Sequence, residues 1–337
     1  MSSTLPSPAT RPTTPAGPIQ PPRSRPMPDA SELIDRPETG ADPYFSRTLD
    51  HWQAADRVDP VVWPAVGRDR QVAGGLDEEC LAAYEQRGFH RAEGLFSGDE
   101  AGRLLAEAER LAAAVEGPAE GVVIEPGSRA VRSLFRLHET SEVFREVARD
   151  ERLTAVARQL LGGEVYVHQS RINFKPAFDG KEFFWHSDFE TWHVEDGMPR
   201  MRAVSVSLSL TPSTEFNGPL LLVPGSHRTF IRCVGATPEN HHRQSLKKQE
   251  YGVPSAEAMR LLVERGGMES ATGPAGSAVF FECNTMHGSS GNLSPYPRTN
   301  FFIVYNSMEN TLREPYGGRP PRPEFLGCRH PRAISRW

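Results

Sequence analysis

The feature that most constrains the fold is a strict alternation of apolar and small polar residues near the middle of the chain. The apolar members are Val204, Val206, Leu208 and Leu210, and the polar members are Ser205, Ser207 and Ser209. A period of two is typical of a β-strand, whose successive side chains point to opposite faces of a sheet. This stretch therefore predicts a strand with one apolar face and one face of small hydroxyl side chains.

The sequence predicts further short strands around this one. The candidates are residues 165–174, 183–189, 219–223, 278–282 and 300–306. Turn residues such as Asn217-Gly218-Pro219 and Pro224-Gly225-Ser226 separate several of them. Many short strands joined by turns are typical of a β-sandwich or a jelly roll.

The region before these strands, about 76–162, has mainly helical patterns. One helix begins at 76–79 and should end at Gly88. Ser97 with Glu100 forms the capping-box pattern, which predicts a second helix start. Residues 140–161 predict one continuous helix that ends at Gly162, where a left-handed cap is favoured.

The remaining segments define the domain organisation. Residues 1–30 contain nine prolines and little to bury, so we expect disorder there and one domain over 31–337. Within that domain we expect the β-sandwich or jelly-roll core over about 163–312, interrupted by a polar, partly helical insertion at 236–268. The tail 313–337 carries six arginines and two glutamates, and it is either solvated or a basic flap over the site or a partner subunit.

Composition excludes several classes of protein. The formal net charge of -5 gives no global positive field, so nucleic acid is not an expected partner. The chain shows neither an apolar run near the length of about 18 residues that a membrane span needs nor the apolar core of a signal peptide. Cys80, Cys233, Cys283 and Cys328 form no C-x-x-C pair, and we expect reduced thiols in a cytoplasmic protein.

A metal site is the main chemical prediction. His186 and Asp188 are two positions apart, which on a strand would direct both side chains to one face. His287, which follows the apolar stretch 278–282, is the candidate for a third ligand. Two histidines and one carboxylate form the facial triad of non-haem iron(II) oxygenases, and this triad leaves coordination positions free.

Two further observations bear on this prediction. His193 and Glu195 form a second, competing histidine–acid pair. Ser289 and Arg298 follow His287 at spacings of +2 and +11. Because an arginine fork matches a carboxylate and stays charged, Arg298 is a candidate for holding the distal carboxylate of 2-oxoglutarate, with Ser289 adding a hydrogen bond.

These residues resemble the phytanoyl-CoA hydroxylase superfamily of iron(II)/2-oxoglutarate oxygenases, in which a distal histidine is followed by serine at +2 and arginine at +11. Within it, the resemblance is to the ectoine hydroxylases. The stretches that carry it are 168–176 (HQSRINFKP), 183–203 (FFWHSDFETWHVEDGMPRMRA), 215–227 and 283–289 (CNTMHGS). The resemblance covers roughly residues 50–312.

The resemblance implies a double-stranded β-helix (jelly-roll, cupin-like) core with helical decoration. It implies iron(II) as cofactor, 2-oxoglutarate and dioxygen as co-substrates, and ectoine as the substrate that is hydroxylated. For iron it implies His186, Asp188 and His287. For 2-oxoglutarate it implies Arg298, Ser289, Lys175, Asn173 and Phe183. For ectoine it implies Gln169 and Trp192.

Other functions stay open at this point. A related hydroxylase could act on another small polar metabolite. A cupin-like enzyme would bind zinc or manganese, and a jelly-roll binding module without catalysis would use its histidines structurally. The oligomeric state is also open, with a homodimer among the alternatives.

Overall fold

The computed structural model describes residues 42–64, 72–125, 130–238 and 251–337, together with the backbone of Ile34–Asp35. The proline-rich segment 1–30 lies outside the described residues, so its predicted disorder stays a prediction. The α-helices of the described ranges are α1 (Glu78–Arg87), α2 (Gly98–Ala113), α3 (Leu137–Thr140), α4 (Glu142–Ala148), α5 (Glu151–Leu161), α6 (Asp188–Thr191) and α7 (Ala256–Gly266).

The strands of the same ranges are β1 (Ile34–Asp35), β2 (Gln53–Asp56), β3 (Phe89–Ala92), β4 (Val122–Ile124), β5 (Val131–Phe135), β6 (Val165–Lys175), β7 (Phe183–His186), β8 (Ala203–Ser209), β9 (Leu220–Leu222), β10 (Thr229–Arg232), β11 (Glu269–Ala271), β12 (Ala278–Glu282), β13 (His287–Ser289) and β14 (Arg298–Ser307). Short helices of other types cover Trp192–Asp196 (a π-helix), Ser226–Arg228 and Ile334–Arg336 (both 3-10).

The helix ends follow local capping chemistry. The capping box of Ser97 and Glu100 is present, and Gly88 and Gly162 both end their helices in the left-handed conformation. The single helix predicted over 140–161 is wrong, because the chain breaks into α4 and α5. Asp150 explains the break, since its side chain accepts a hydrogen bond from the backbone N–H of Arg152 and so starts a new helix.

The strands form a seven-stranded sheet in the order β3-β12-β8-β14-β6-β5-β4 and a four-stranded sheet in the order β11-β9-β13-β7. Neighbouring strands in both sheets are antiparallel. A third sheet joins β1, β2 and β10. The two larger sheets face each other, because Phe281 and Phe302 of the first pack in one cluster with Leu220 and Leu222 of the second. This arrangement is the predicted jelly-roll core.

The two faces of the seven-stranded sheet differ in chemistry. The outer face packs on the helices in the largest apolar core. That core includes Val204, Val206, Leu208, Phe301 and Ile303 from the sheet and Phe144, Leu153 and Leu160 from the helices. The alternating serines of β8 lie on the inner face, so the period-two pattern correctly predicted one apolar and one polar face.

Two expectations need correction or completion. The strand predicted over 183–189 ends at His186, because Ser187 caps the helical turn α6 by accepting a hydrogen bond from the backbone N–H of Glu190. The strand patterns also missed several short strands, among them β2, β3, β5, β10 and β13. In the insertion 236–268, helix α7 is present, and residues 239–250 lie outside the described ranges.

The C-terminal tail is not solvated along its length. Phe325 and Leu326 are buried, and the Phe325 ring packs edge-on against Phe135 with centroids 5.5 Å apart. The backbone N–H of Cys328 donates to the carbonyl oxygen of His168 on β6. The tail therefore packs on the domain beside β6. None of the helices in the described ranges is both long and apolar enough to cross a bilayer.

Candidate metal centre

The fold brings His186, Asp188 and His287 together. His186 at the end of β7 and His287 at the start of β13 are cross-strand partners, with ring centroids 4.2 Å apart. Asp188 stands on the first residue of α6. Its Oδ1 lies 3.5 Å from Nε2 of His186 and 3.9 Å from Nε2 of His287. One ligand atom from each residue lies within 4.8 Å of the other two.

Hydrogen bonds to backbone carbonyls orient both imidazoles. Nδ1 of His186 donates to the carbonyl oxygen of Phe184 at 2.7 Å, and Nδ1 of His287 donates to that of Thr285 at 3.0 Å. The Nε2 lone pairs therefore point at the centre, as metal-binding histidines require. Ser205 on β8 donates to Oδ2 of Asp188 at 3.1 Å, which leaves Oδ1 for a ligand bond.

The electrostatics favour a metal ion. Burial lowers the pKa of His287 to about 4, and the neighbouring His186 acts in the same direction. Burial acts to raise the pKa of Asp188, but the charges of His287, His186 and Arg171 hold it well below its usual range. Two imidazoles beside a carboxylate form the N,N,O donor set that suits non-haem iron(II). The residues present thus fit that ion.

The competing pair takes no part in this centre. The ring of His193 donates to the carbonyl oxygen of Met198 at 2.8 Å and contacts the Asp42 carboxylate at 3.0 Å. The Glu195 carboxylate pairs with the guanidinium of Arg47. Both side chains are therefore occupied in structural contacts.

Arg298, at the start of β14, is a buried cation without an anionic partner among the described residues. Its side chain donates to Oδ1 of Asn300 at 3.0 Å, whereas its Nε has no hydrogen-bond partner there. Burial lowers the pKa of Arg298 to about 10. A guanidinium that is buried without an anionic partner among the described residues is suited to bind the carboxylate of a small molecule.

Lys175 is the cross-strand partner of Arg298 and adds a buried amine to this side of the site. Its Nζ donates to Oγ of Ser289 at 2.7 Å and to the carbonyl oxygen of Ser290 at 2.5 Å. Burial lowers the pKa of Lys175 to about 6, and the charges of Arg298 and Arg132 add to the effect. The structure thus brings Lys175, Ser289 and Arg298 together beside the metal centre, since Ser289 is two residues from His287.

Asn173 and Phe183 complete this side of the site. Asn173 faces Asn300 across the β6–β14 pair, and its side-chain oxygen accepts a hydrogen bond from Ser133 at 2.7 Å. The Phe183 ring lies beneath Arg132, whose guanidinium carbon is 4.5 Å from the ring centroid, while Nζ of Lys175 is 5.6 Å from it. Phe183 therefore forms an aromatic wall next to Lys175.

Gln169 and Trp192 lie at the other end of the inner face. The Gln169 amide nitrogen donates to the carbonyl oxygen of Leu326 in the C-terminal tail at 2.8 Å. Trp192 opens the π-helix that follows α6, and its ring packs edge-on against His168 with centroids 5.0 Å apart. The short stretch from Asp188 to Trp192 connects the metal centre to this aromatic side chain.

Two further side chains of this region, Arg171 and His168, were not assigned a role from the sequence. Arg171 shares the face of Gln169, and its Nη1 donates to the Gln169 amide oxygen at 3.3 Å. Both ring nitrogens of fully buried His168 lack a hydrogen-bond partner in the described ranges, and burial lowers its pKa to about 3. The parity of β6 could have indicated Arg171, whereas no local signal marks His168.

The phytanoyl-CoA dioxygenase (PhyH) family model matches residues 84–300. An ectoine dioxygenase from Bordetella parapertussis is 56% identical over 292 residues, which cover 86% of this chain and 92% of that relative. An ectoine dioxygenase from Halomonas elongata is 47% identical over 323 residues, which cover 91% of this chain and 96% of that relative.

Solved structures agree with these relatives. EctD from S. alaskensis, crystallised with 2-oxoglutarate and 5-hydroxyectoine, matches with a TM-score of 0.77 and 43% identity over 88% of this chain and 98% of EctD. The same protein with bound Fe matches over 87% and 97% with the same score and identity. The carbocyclase SnoK from nogalamycin biosynthesis is 19% identical with a TM-score of 0.55, over 76% of this chain and 92% of SnoK, and supports the fold alone.

Proposed function

The chain belongs to the phytanoyl-CoA dioxygenase family and, within it, to the ectoine dioxygenases, and we propose on this basis that it hydroxylates ectoine to 5-hydroxyectoine. The reaction consumes 2-oxoglutarate and dioxygen and releases succinate and carbon dioxide. The observation that carries this proposal is the convergence of His186, Asp188 and His287 beside the buried guanidinium of Arg298, which has no carboxylate partner among the described residues.

Three side chains hold the metal in this proposal. His186 and His287 bind iron(II) through Nε2, and Asp188 binds it through Oδ1. When bound, iron(II) supplies the redox chemistry by which dioxygen is activated as 2-oxoglutarate is decarboxylated. The hydrogen bonds to Phe184, Thr285 and Ser205 keep the donor atoms in place before the ion arrives.

Arg298 and the side chains around it bind the co-substrate. Arg298 receives the distal carboxylate of 2-oxoglutarate, with Ser289 and Lys175 donating further hydrogen bonds. Phe183 and Asn173 border the aliphatic part of the molecule. Because Arg298 and Lys175 are buried, water competes little for these contacts, and each is stronger than at the surface.

Gln169 and Trp192 bind ectoine. Ectoine carries a delocalised cationic amidine and a carboxylate, so the Trp192 ring offers a cation–π face worth about 0.5–2 kcal/mol. The Gln169 amide offers a hydrogen bond to the ectoine ring. Both side chains are buried, so they also exclude water from the carbon that reacts.

Product analysis tests the proposal. Purified chain, loaded anaerobically with iron(II) and 2-oxoglutarate, is given oxygen with ectoine, with proline or with no substrate. We expect 5-hydroxyectoine and succinate in equal amounts with ectoine only. Succinate formed with proline and not with ectoine would instead favour a related hydroxylase with another small polar substrate.

Two finer points belong to the same proposal. We propose a cytoplasmic location, which the four free thiols support because they suit a reducing compartment. Cell fractionation tests it. A homodimer stays one of the open alternatives for the oligomeric state, and sedimentation velocity of the purified chain tests it.

A further inference from the structure

The C-terminal tail contacts the π-helix Trp192–Asp196 at very close range. A Cβ on Gly327 would lie 2.9 Å from the carboxyl carbon of Asp196. Gly197, which ends the π-helix with a φ of +83°, has the carbonyl oxygen of Arg313 only 2.1 Å from the place of a Cβ. A larger residue at either position would push the two segments apart, so these glycines permit the contact.

An ion pair fastens the same contact. The Arg322 guanidinium donates to both carboxylate oxygens of Asp196, with Nε at 2.8 Å and Nη2 at 2.6 Å. The two side chains are only 12% and 2% exposed. Arg329 adds a hydrogen bond from Nη1 to the backbone carbonyl oxygen of Asp196 at 2.9 Å. Bidentate pairs of this kind fix geometry as well as adding energy.

Between these two arginines the tail reaches β6. The carbonyl oxygen of Leu326 accepts the hydrogen bond of the Gln169 amide, and the N–H of Cys328 donates to His168. On β14, the neighbouring residues Val304 and Tyr305 pair with Gln169 and Val167 of β6. His168 between them has no partner on β14 and lies in a β-bulge. Since a bulge re-aims side chains, Gln169 depends on its partner in the tail for its direction.

We propose that Arg322 is a positioning residue for the substrate. By holding Asp196 it keeps the Leu326 carbonyl against the Gln169 amide and keeps the π-helix that carries Trp192 in register with the tail. This inference rests on the proposed function, because it assumes that Gln169 and Trp192 bind ectoine. The partners of Arg298 and Lys175 lie on β14 and around β13, away from the tail. The Arg322–Asp196 ion pair should therefore affect the binding of ectoine and leave the binding of 2-oxoglutarate unchanged.

The first test measures binding without turnover. The full chain is loaded with iron(II) and 2-oxoglutarate under anaerobic conditions and titrated calorimetrically with ectoine. We expect Arg322→Gln to raise the Kd for ectoine by about tenfold or more. Iron stoichiometry should stay the same, and the Kd for 2-oxoglutarate should change by less than about twofold. The matched control is Arg336→Gln, which alters an exposed arginine of the same tail and should match the parent chain.

A double-mutant cycle separates positioning through Asp196 from other effects. Asp196→Asn should raise the Kd for ectoine as well, and the double variant should be little worse than the single ones. Additive effects would overturn the inference, as would an unchanged Kd in Arg322→Gln. Equal losses of iron, 2-oxoglutarate and ectoine binding would also overturn it, because the Arg322–Asp196 ion pair would then only stabilise the fold. If the parent chain itself fails to bind ectoine, the proposed function fails before the variants are compared.

Discussion

Replacing Arg298 by glutamine gives the sharpest test of the co-substrate site. The Arg298 guanidinium is buried, and within the described ranges its side chain is bonded to Asn300 and to no carboxylate. Two charge-assisted hydrogen bonds to 2-oxoglutarate are worth about 1.5–3 kcal/mol each. At about 1.4 kcal/mol per factor of ten, their loss should weaken 2-oxoglutarate binding roughly 100-fold or more.

Stability should change in a way that a structural arginine would not produce. The variant removes a buried charge that has no anionic partner in the part of the chain that the structure describes. The ligand-free Arg298→Gln protein should therefore have a free energy of unfolding no lower than that of the parent. At a 2-oxoglutarate concentration of about 100 times the parent Kd, the ligand stabilises the parent by about 2.7 kcal/mol. A 100-fold weaker variant would gain only about 0.4 kcal/mol under the same conditions.

The assay is urea unfolding of the iron-loaded chain under anaerobic conditions, with and without 2-oxoglutarate. Arg202→Gln is the control, because Arg202 is also buried but pairs with Glu309. This variant should not change the stabilisation by 2-oxoglutarate. If Arg298→Gln keeps the full stabilisation by 2-oxoglutarate, or if it destabilises the ligand-free protein by several kcal/mol, the assigned role of Arg298 is refuted.

Three further predictions test the other parts of the site. Asp188→Ala or His186→Ala should abolish turnover and lower iron stoichiometry in an anaerobic titration, and normal iron binding in either variant would contradict the metal assignment. Folding lowers the pKa of Lys175 from 10.5 to about 6, so between these values the unfolded chain binds a proton that the folded chain lacks. In this pH window the free energy of unfolding of the parent should therefore rise with pH more steeply than that of Lys175→Met. Equal slopes of the two proteins in urea unfolding would count against a buried, deprotonated Lys175. Gln169→Ala should raise the KM for ectoine about tenfold while the KM for 2-oxoglutarate stays within about twofold; proportional changes in both would remove Gln169 from the ectoine site.

The sequence predicted most reliably where a single local rule decides the structure. The period of two at Val204–Leu208 correctly separated the core face of β8 from the face whose serines point inward. The glycines at 88 and 162 correctly marked helix ends, because only a residue that tolerates positive φ fits there. Each of these signals lies within a few residues of the structure it sets.

The predictions failed where two local signals competed. The aromatic-rich stretch 183–189 indicated a strand, but Ser187 and Glu190 form an S-x-x-E pattern that starts a helical turn. His186 and Asp188 therefore converge for a different reason than the expected strand parity. The carboxylate comes from α6, and the two imidazoles meet because β7 and β13 are paired.

The contacts of the C-terminal tail could not be predicted, because they join residues far apart in sequence. Arg322 and Asp196 are 126 positions apart, and Gln169 and Leu326 are 157 apart. No local pattern near Arg322 distinguishes it from the other arginines of the tail. Only the packed structure shows which of them is buried against the π-helix.

The most direct test of the central claim is one anaerobic titration followed by one turnover. Iron(II) is added to the metal-free chain in the presence of 2-oxoglutarate, and ectoine and oxygen then follow with product identification. We predict one iron(II) per chain, lost in His287→Ala, and equal amounts of 5-hydroxyectoine and succinate after oxygen is added. Iron that binds as tightly without the His287 imidazole, or oxygen uptake that does not depend on 2-oxoglutarate, would contradict a metal centre built from His186, Asp188 and His287.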